Sequence, residues 1–454
     1  MKKQSNQSWI ERDLQKVWHP CTQMKDHENQ LPLIPIQKGE GIWLYDFDGN
    51  RYLDAISSWW VNLFGHNHPH IKNKIKAQLD QLDHVLLAGF THQPVIELSE
   101  KLIEITPPGL NKCFYADNGS SAVEVALKMS FHYWKNKGKN KKNQFVCLAN
   151  SYHGETLGAL AVGDVGLYRE TYKPLLMKVI TAPSPDAFLR EPEMSKKEWA
   201  EIQFLQIKKI LEMNHAEISA VIIEPLVQCA GGMRMYDASY LSLLRTLCTQ
   251  LNIHLIADEI AVGFGRTGSL FACEQASVTP DFLCLSKGLT GGFLPLSVVM
   301  THDEIYNAFY DDYAKQCAFL HSHSYTGNPL ACSAAIATLE LFEKEQTIQK
   351  NEITIEKMKH LSQPWKNYPH VADVRQQGMI LAIELMQDPK NKIAFPWQDR
   401  TGLKVYKYAL QQGVLLRPLG DVIYLMPPYV INDNELVHLF KVVDQCLQNL
   451  PALK

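Results

Sequence analysis

Two residues carry most of the chemistry this sequence could perform, Asp258 and Lys287, and each closes a short apolar run. Asp258 ends His254-Leu255-Ile256-Ala257-Asp258, and Lys287 follows Asp281-Phe282-Leu283-Cys284-Leu285 with Ser286 between. In open α/β sheets ligands bind outside the carboxyl ends of the strands, so both residues are predicted where a ligand would be met. A carboxylate there can keep a pyridinium nitrogen protonated, which makes such a ring an electron sink. A solvated loop acid is the plain alternative. A lysine there, once partly buried, has a lowered pKa, and its free amine can attack a carbonyl. Taken alone, a strand-end lysine is more often structural. Arriving from successive strand–helix units, the two support one another.

Two further stretches fit the same edge. In Ala116-Asp117-Asn118-Gly119-Ser120-Ser121, small residues precede a helical pattern (Val123, Ala126, Leu127, Met129). A helix start with free N–H groups and the Ser120 hydroxyl is a ready phosphate site, or simply a capped helix. Tyr152, in Ser151-Tyr152-His153-Gly154-Glu155, follows the run Phe145-Val146-Cys147-Leu148 and could stack on a planar ligand or pack in a core. Gly263-Phe264-Gly265-Arg266-Thr267-Gly268 has the spacing of a dinucleotide fingerprint, which would suit a nicotinamide oxidoreductase. The intervening Asp258-Glu259 and the lack of an N-terminal βαβ frame disfavour that reading. His66, His68 and His70 are broken from helical spacing by Asn67 and Pro69, so no metal is expected there. Trp59-Trp60 reads as core or as a pocket wall.

The elements that must position these groups alternate. Ile42 to Ala55 holds two short apolar runs around Asp48-Gly49-Asn50, a hairpin signal. From about residue 90, helical spacing (Val95, Ile96, Leu98, Leu102, Ile103, Ile105) alternates with short apolar strands such as Val221-Ile222-Ile223, which predicts βαβ units and a mainly parallel sheet. Leu381-Ala382-Ile383-Glu384-Leu385 and Val422-Ile423-Tyr424-Leu425-Met426 read as strands of a second, smaller domain. The expected division is 1–60 and 329–454 for the smaller domain and 61–328 for the larger. The 454 residues carry a formal net charge of -3 with both signs interspersed, so neither nucleic acid nor an anionic membrane is an expected partner. No apolar segment follows Lys2-Lys3, so a secretory leader is not expected. Ten cysteines without a Cys-x-x-Cys pair suit a reducing, cytoplasmic setting.

Together these stretches resemble the class III aminotransferases of the fold-type I pyridoxal-phosphate (PLP) superfamily. The resemblance rests on Ile223-Glu224-Pro225, Leu255-Ile256-Ala257-Asp258-Glu259, Gly263 to Gly268, Lys287-Gly288 and His321-Ser322-His323-Ser324-Tyr325-Thr326-Gly327-Asn328-Pro329, and covers about residues 15 to 447. Trp18-His19-Pro20-Cys21, Ser57-Ser58-Trp59-Trp60, Arg417-Pro418-Leu419-Gly420 and Tyr424-Leu425-Met426-Pro427-Pro428-Tyr429 are similar to the biotin-synthesis branch of that class. The implied fold is a large PLP-binding α/β domain plus a smaller α+β domain. The implied reaction is ping-pong amination of 8-amino-7-oxononanoate to 7,8-diaminononanoate, with S-adenosylmethionine, or else lysine, as amino donor. Lys287 would carry PLP as a Schiff base, Asp258 pair with the ring nitrogen, Gly119 and Ser120 hold the phosphate, and Tyr152 stack on the ring beside the substrate. His323 and Ser324 would reach the phosphate of a second subunit, which implies a homodimer. Trp59 would wall the substrate pocket near Ser322, and Arg417 would clamp a carboxylate. Three positions depart from the branch: Cys21 for a substrate-recognising tyrosine, Glu155 for an aspartate, and Ser322-His323-Ser324 for Gly-Pro-Thr. They bear on the donor, not on the lysine chemistry. A class III transaminase for another ω-amino acid, or a non-catalytic protein on the same fold, are the other readings.

Overall fold

The computed structural model describes residues 5–452; Met1-Lys2-Lys3-Gln4, where a leader would begin, lies outside them. The chain forms two compact units. The larger comprises Pro69–Lys357 and Arg375–Ala382, and the smaller the described residues of 1–68, 358–374 and 383–454. This differs from the expected boundaries at 60 and 328. The helix Pro329–Lys344 packs on the helices Pro69–Leu79 and Gln93–Ile105 of the larger unit. Its buried Ala331, Cys332, Ala334, Ala335 and Ala337 suit that close packing, which sequence spacing alone does not reveal.

The larger unit is built on seven strands: β1 (Lys112–Ala116), β2 (Gln144–Leu148), β3 (Ile180–Ala182), β4 (Ile218–Ile223), β5 (His254–Asp258), β6 (Phe282–Leu285) and β7 (Ser297–Thr301). Their order across the sheet is β1-β7-β6-β5-β4-β2-β3. All neighbours are parallel except β7, which runs antiparallel to both β6 and β1, so β1 points the same way as the rest. Every residue of β4, β5 and β6 is buried, as expected of central parallel strands covered on both faces. The helix Gly119–Asn136 buries Val123, Ala126, Leu127 and Met129 in the core formed with Ile222, Ile256 and Phe282.

In the smaller unit the expected hairpin is present, with Trp43–Asp46 antiparallel to Arg51–Asp54. The Asp46 carboxylate closes its turn, accepting from the Asp48 and Asn50 backbone N–H groups at 3.0 and 2.8 Å. Val422–Leu425 in this unit, and Ile380–Leu385, whose first three residues belong to the larger unit, are the strands read from the sequence. All ten cysteines are free thiols, seven of them buried, in keeping with small hydrophobes in a packed interior. No helix among the described residues is long and apolar enough to cross a membrane.

Candidate active site

Strand register brings three ionisable side chains to one sheet edge. Ala257 of β5 pairs with Ile223 of β4, and Asp258 pairs with Cys284 of β6. Glu224, Asp258 and Lys287 therefore leave three adjacent parallel strands at their carboxyl ends, where α/β sheets bind ligands. Tyr152 and His153 emerge from β2, and Gly119 and Ser120 from β1, at that same edge.

Asp258 is almost fully buried and makes two hydrogen-bond contacts. Its Oδ1 accepts from the Ile260 N–H at 3.1 Å, and its Oδ2 lies 2.7 Å from His153 Nδ1. Glu224 accepts from the backbone N–H groups of Tyr152 and Cys229 at 3.0 and 2.9 Å. Burial pushes its carboxyl up to about 7. Burial also holds the half-buried Lys287 ammonium below its ordinary value, with Cys229, Asp258 and Glu224 acting the other way. Less of its amine is therefore tied up by a proton than in an exposed lysine.

Lys287 occupies the left-handed region at φ +46°, which costs a non-glycine residue roughly 1–2 kcal/mol. Hydrogen bonds on both sides hold it there. Ser286 Oγ donates to the Leu296 carbonyl at 2.7 Å, and Thr290 Oγ1 to that of Leu294 at 2.6 Å. An outlier enforced in this way is the kind found at functional sites.

The Gly119–Asn136 helix begins at Asn118, whose side chain accepts the Ser121 N–H at 3.1 Å. The Tyr152 loop lies against this helix start. Ser120 Oγ accepts the Glu155 N–H at 3.3 Å, and a Cβ added to Gly154, at φ +125°, would meet Ser120 Oγ at 2.0 Å. Tyr152 donates its hydroxyl proton to Glu155 at 2.9 Å and meets Tyr168 edge-on. The Gly263–Gly268 loop does not open a helix; turns lead to a 3₁₀ segment at Ala272–Ala276, whose first two N–H groups bond the buried Glu259 carboxylate at 2.6 and 2.8 Å. Ser322 and Ser324 are exposed, whereas His323 Nδ1 stands 3.4 Å from Asp117 of its own chain.

In the smaller unit, Arg417 and Trp59 are in contact, the guanidinium carbon 3.9 Å from the ring centroid. Trp59 sits in a turn with four successive positive φ values, +51°, +46°, +70° and +74° at Ser57 to Trp60. Asp54 anchors it by accepting the Ser58 N–H at 2.9 Å and hydroxyl at 2.7 Å, while Trp60 Nε1 donates to Tyr424 at 3.0 Å. Cys21 is exposed, at φ +52°. His66 lies 2.9 Å from Asp54, and His70, in the larger unit, 2.6 Å from Glu340.

The family described as aminotransferase class-III matches residues 24–447. The chain belongs to the class III aminotransferases. It is 52% identical over 430 residues to the adenosylmethionine-8-amino-7-oxononanoate aminotransferase of Helicobacter pylori, covering 93% of this chain and 94% of that one. The Aquifex aeolicus protein of the same name is 44% identical, over 96% of each chain. A crystal structure of the Methanocaldococcus jannaschii enzyme of that name superposes with a TM-score of 0.90 at 38% identity, covering 96% of this chain and 98% of that one. An omega transaminase from Pseudomonas jessenii, solved in complex with PMP, reaches 0.92 at 26% identity, covering 98% of each chain. The fold is thus the fold-type I transferase fold.

In this class III aminotransferase, three features escape the sequence reading. They are the His153–Asp258 contact, the double N–H anchor on Glu224 and the Arg417–Trp59 stack. Glu224 had a signal, since it ends an apolar strand as Asp258 does. His153 had only its adjacency to Tyr152, and nothing in the sequence pairs residues 59 and 417.

Proposed function

We propose that this aminotransferase transfers an amino group from S-adenosylmethionine to the keto carbon of 8-amino-7-oxononanoate, giving 7,8-diaminononanoate, with PLP bound at Lys287. The observation that carries the reading is the exit of Lys287 and Asp258 from adjacent parallel strands at one sheet edge, with Asp258 held by contacts to Ile260 and His153. The names of the relatives at 52% and 44% identity support the substrate and the donor.

The residues suit PLP. The Gly119–Ser120 helix start offers N–H groups and a hydroxyl for a phosphate dianion. The closeness of Gly154 to Ser120 Oγ brings the loop carrying Tyr152 over that start, so the ring-stacking residue and the phosphate hydroxyl come from adjoining segments. When bound, PLP supplies the carbonyl that accepts the amino group and a protonated ring that stabilises negative charge at the reacting carbon.

Asp258 holds the proton on the ring nitrogen. Lys287, with its amine kept below the ordinary lysine range, takes a proton from the donor carbon and returns it, as general base and then acid. Arg417 offers the keto acid's carboxylate two parallel hydrogen bonds, with Trp59 as the wall on which its guanidinium rests. His323 and Ser324 are offered to the phosphate of a second subunit, near Ser322, so the working form is a homodimer in the cytoplasm. Cys21, where the branch has a tyrosine, would bear on the choice of donor. The test is a single-turnover assay that follows the absorbance of the bound cofactor with S-adenosylmethionine and with lysine in turn. Conversion by S-adenosylmethionine is expected; conversion by lysine alone would overturn the donor assignment.

A further inference from the structure

Beyond the lysine, its aspartate and Glu224, the large unit buries a fourth titratable side chain beside them, and its hydrogen bonding restricts what it can do. His153 is 2% exposed. Its Nδ1 lies 2.7 Å from Asp258 Oδ2, while its Nε2 is buried with no hydrogen-bond partner among the described residues. An ionised carboxylate only accepts, so the proton of that contact belongs to Nδ1. A second proton, on Nε2, would bury a charged donor with nothing to receive it, which is far costlier than leaving one lone pair unmet.

The neighbouring backbone fixes the ring's place. Glu224 accepts the Tyr152 N–H at 3.0 Å, so the residue before His153 is pinned to the adjacent strand end. Gly154, just after it, is at φ +125° with Ser120 Oγ where a Cβ would be. The imidazole is thus held from both sides in sequence and has one polar contact in view, Asp258.

We infer that His153 is a positioning residue for the transamination: a neutral imidazole that donates one hydrogen bond from Nδ1 to Asp258 Oδ2, keeping that carboxylate ionised and aimed at the cofactor ring nitrogen. The role is that of a donor, not of a counter-charge. With Ile260 N–H on Oδ1 and His153 on Oδ2, each oxygen has one donor and a lone pair left over. The inference rests on the PLP reading above.

The test compares His153→Asn with His153→Leu in purified holoenzyme. Asparagine carries an N–H at the δ position, where the imidazole Nδ1–H stands; leucine carries none. Three quantities are read: the PLP dissociation constant, the pH midpoint of the bound cofactor's absorbance, and the thermal midpoint of the PLP-free protein. His153→Asn is expected to keep wild-type PLP affinity and pH midpoint. His153→Leu is expected to weaken PLP binding about tenfold, the effect of one hydrogen bond to a charged group. Its pH midpoint should also rise, because a ring that yields its proton to Asp258 withdraws less charge. A merely structural role would lower the thermal midpoint and leave the pH midpoint alone. The inference is overturned if His153→Leu titrates like wild type, or if His153→Asn is displaced as far as His153→Leu. If the leucine variant does not fold, the asparagine variant alone decides, a wild-type pH midpoint supporting the inference and a displaced one ending it. Wild-type protein with no cofactor absorbance would instead remove the PLP reading.

Discussion

The two regions that hold the proposed site residues are both strained, and they are stabilised differently. In the larger unit, Lys287 is the one left-handed residue among the ionisable groups at the sheet edge, and hydrogen bonds of Ser286 and Thr290 flank it. In the smaller unit, four consecutive residues from Ser57 to Trp60 are left-handed, and the turn presents Trp59 to solvent at 37% exposure with Arg417 stacked on it. The first arrangement is dry, so electrostatic effects there are large. The second is wet and aromatic, where each contact contributes little. Chemistry would belong to the first and substrate selection to the second, and substitutions should separate them by magnitude.

The sharpest separation is expected from Lys287→Ala, which should lower kcat by about 10⁴-fold in steady-state assays, since the amine that would move the proton is removed. Asp258→Asn should follow, with kcat reduced roughly 10²–10³-fold, because an amide cannot keep the ring nitrogen protonated. Equal losses from Trp59→Ala would break the contrast between the regions.

The dry region should also reveal itself in stability. Burial lowers the His254 pKa to about 4, and its ring stacks on Trp134 with Nδ1 2.8 Å from Ser130 Oγ. The ordinary value is about 6.5, so the unfolded chain binds the extra proton between those two values. Stability should therefore fall as pH drops from about 6.5 towards 4, by on the order of 3 kcal/mol, and be fully present above pH 6.5. Chemical denaturation at stepped pH checks this, and His254→Gln should flatten the dependence.

Smaller effects are expected in the wet region. Arg417→Ala should raise KM for the keto acid about tenfold, with a lesser change in kcat, as loss of a charged hydrogen-bond pair implies. Trp59→Ala should raise the same KM only a few-fold, since the guanidinium loses a contact of about 0.5–1 kcal/mol and keeps its charge.

Legibility in the sequence follows the same divide. The parallel strands could be read because burial on both faces leaves continuous apolar runs, and Asp258 and Lys287 could be read because each ends one. The Gly119–Asn136 helix was visible from its apolar spacing and small-residue start. Strand β7 was not read, because its apolar run, Val298-Val299-Met300, is only three residues long between Ser297 and Thr301. The units differ from the expected boundaries because the Pro329–Lys344 helix packs by a small-residue face whose partners lie more than 200 residues earlier. The left-handed turn at Trp59 was hidden altogether, since Ser and Trp do not advertise positive φ as glycine does. Cys21, Glu155 and Ser322-His323-Ser324 could be located, but what they select depends on a bound substrate.

Whether Lys287 carries the cofactor can be read by trapping it there. The purified protein is reduced with borohydride, digested, and mapped by mass spectrometry. A single pyridoxyl-phosphate adduct is expected on the peptide containing Lys287, accompanied by loss of the near-visible absorbance. An adduct on any other lysine, or an absorbance that survives reduction, would contradict it.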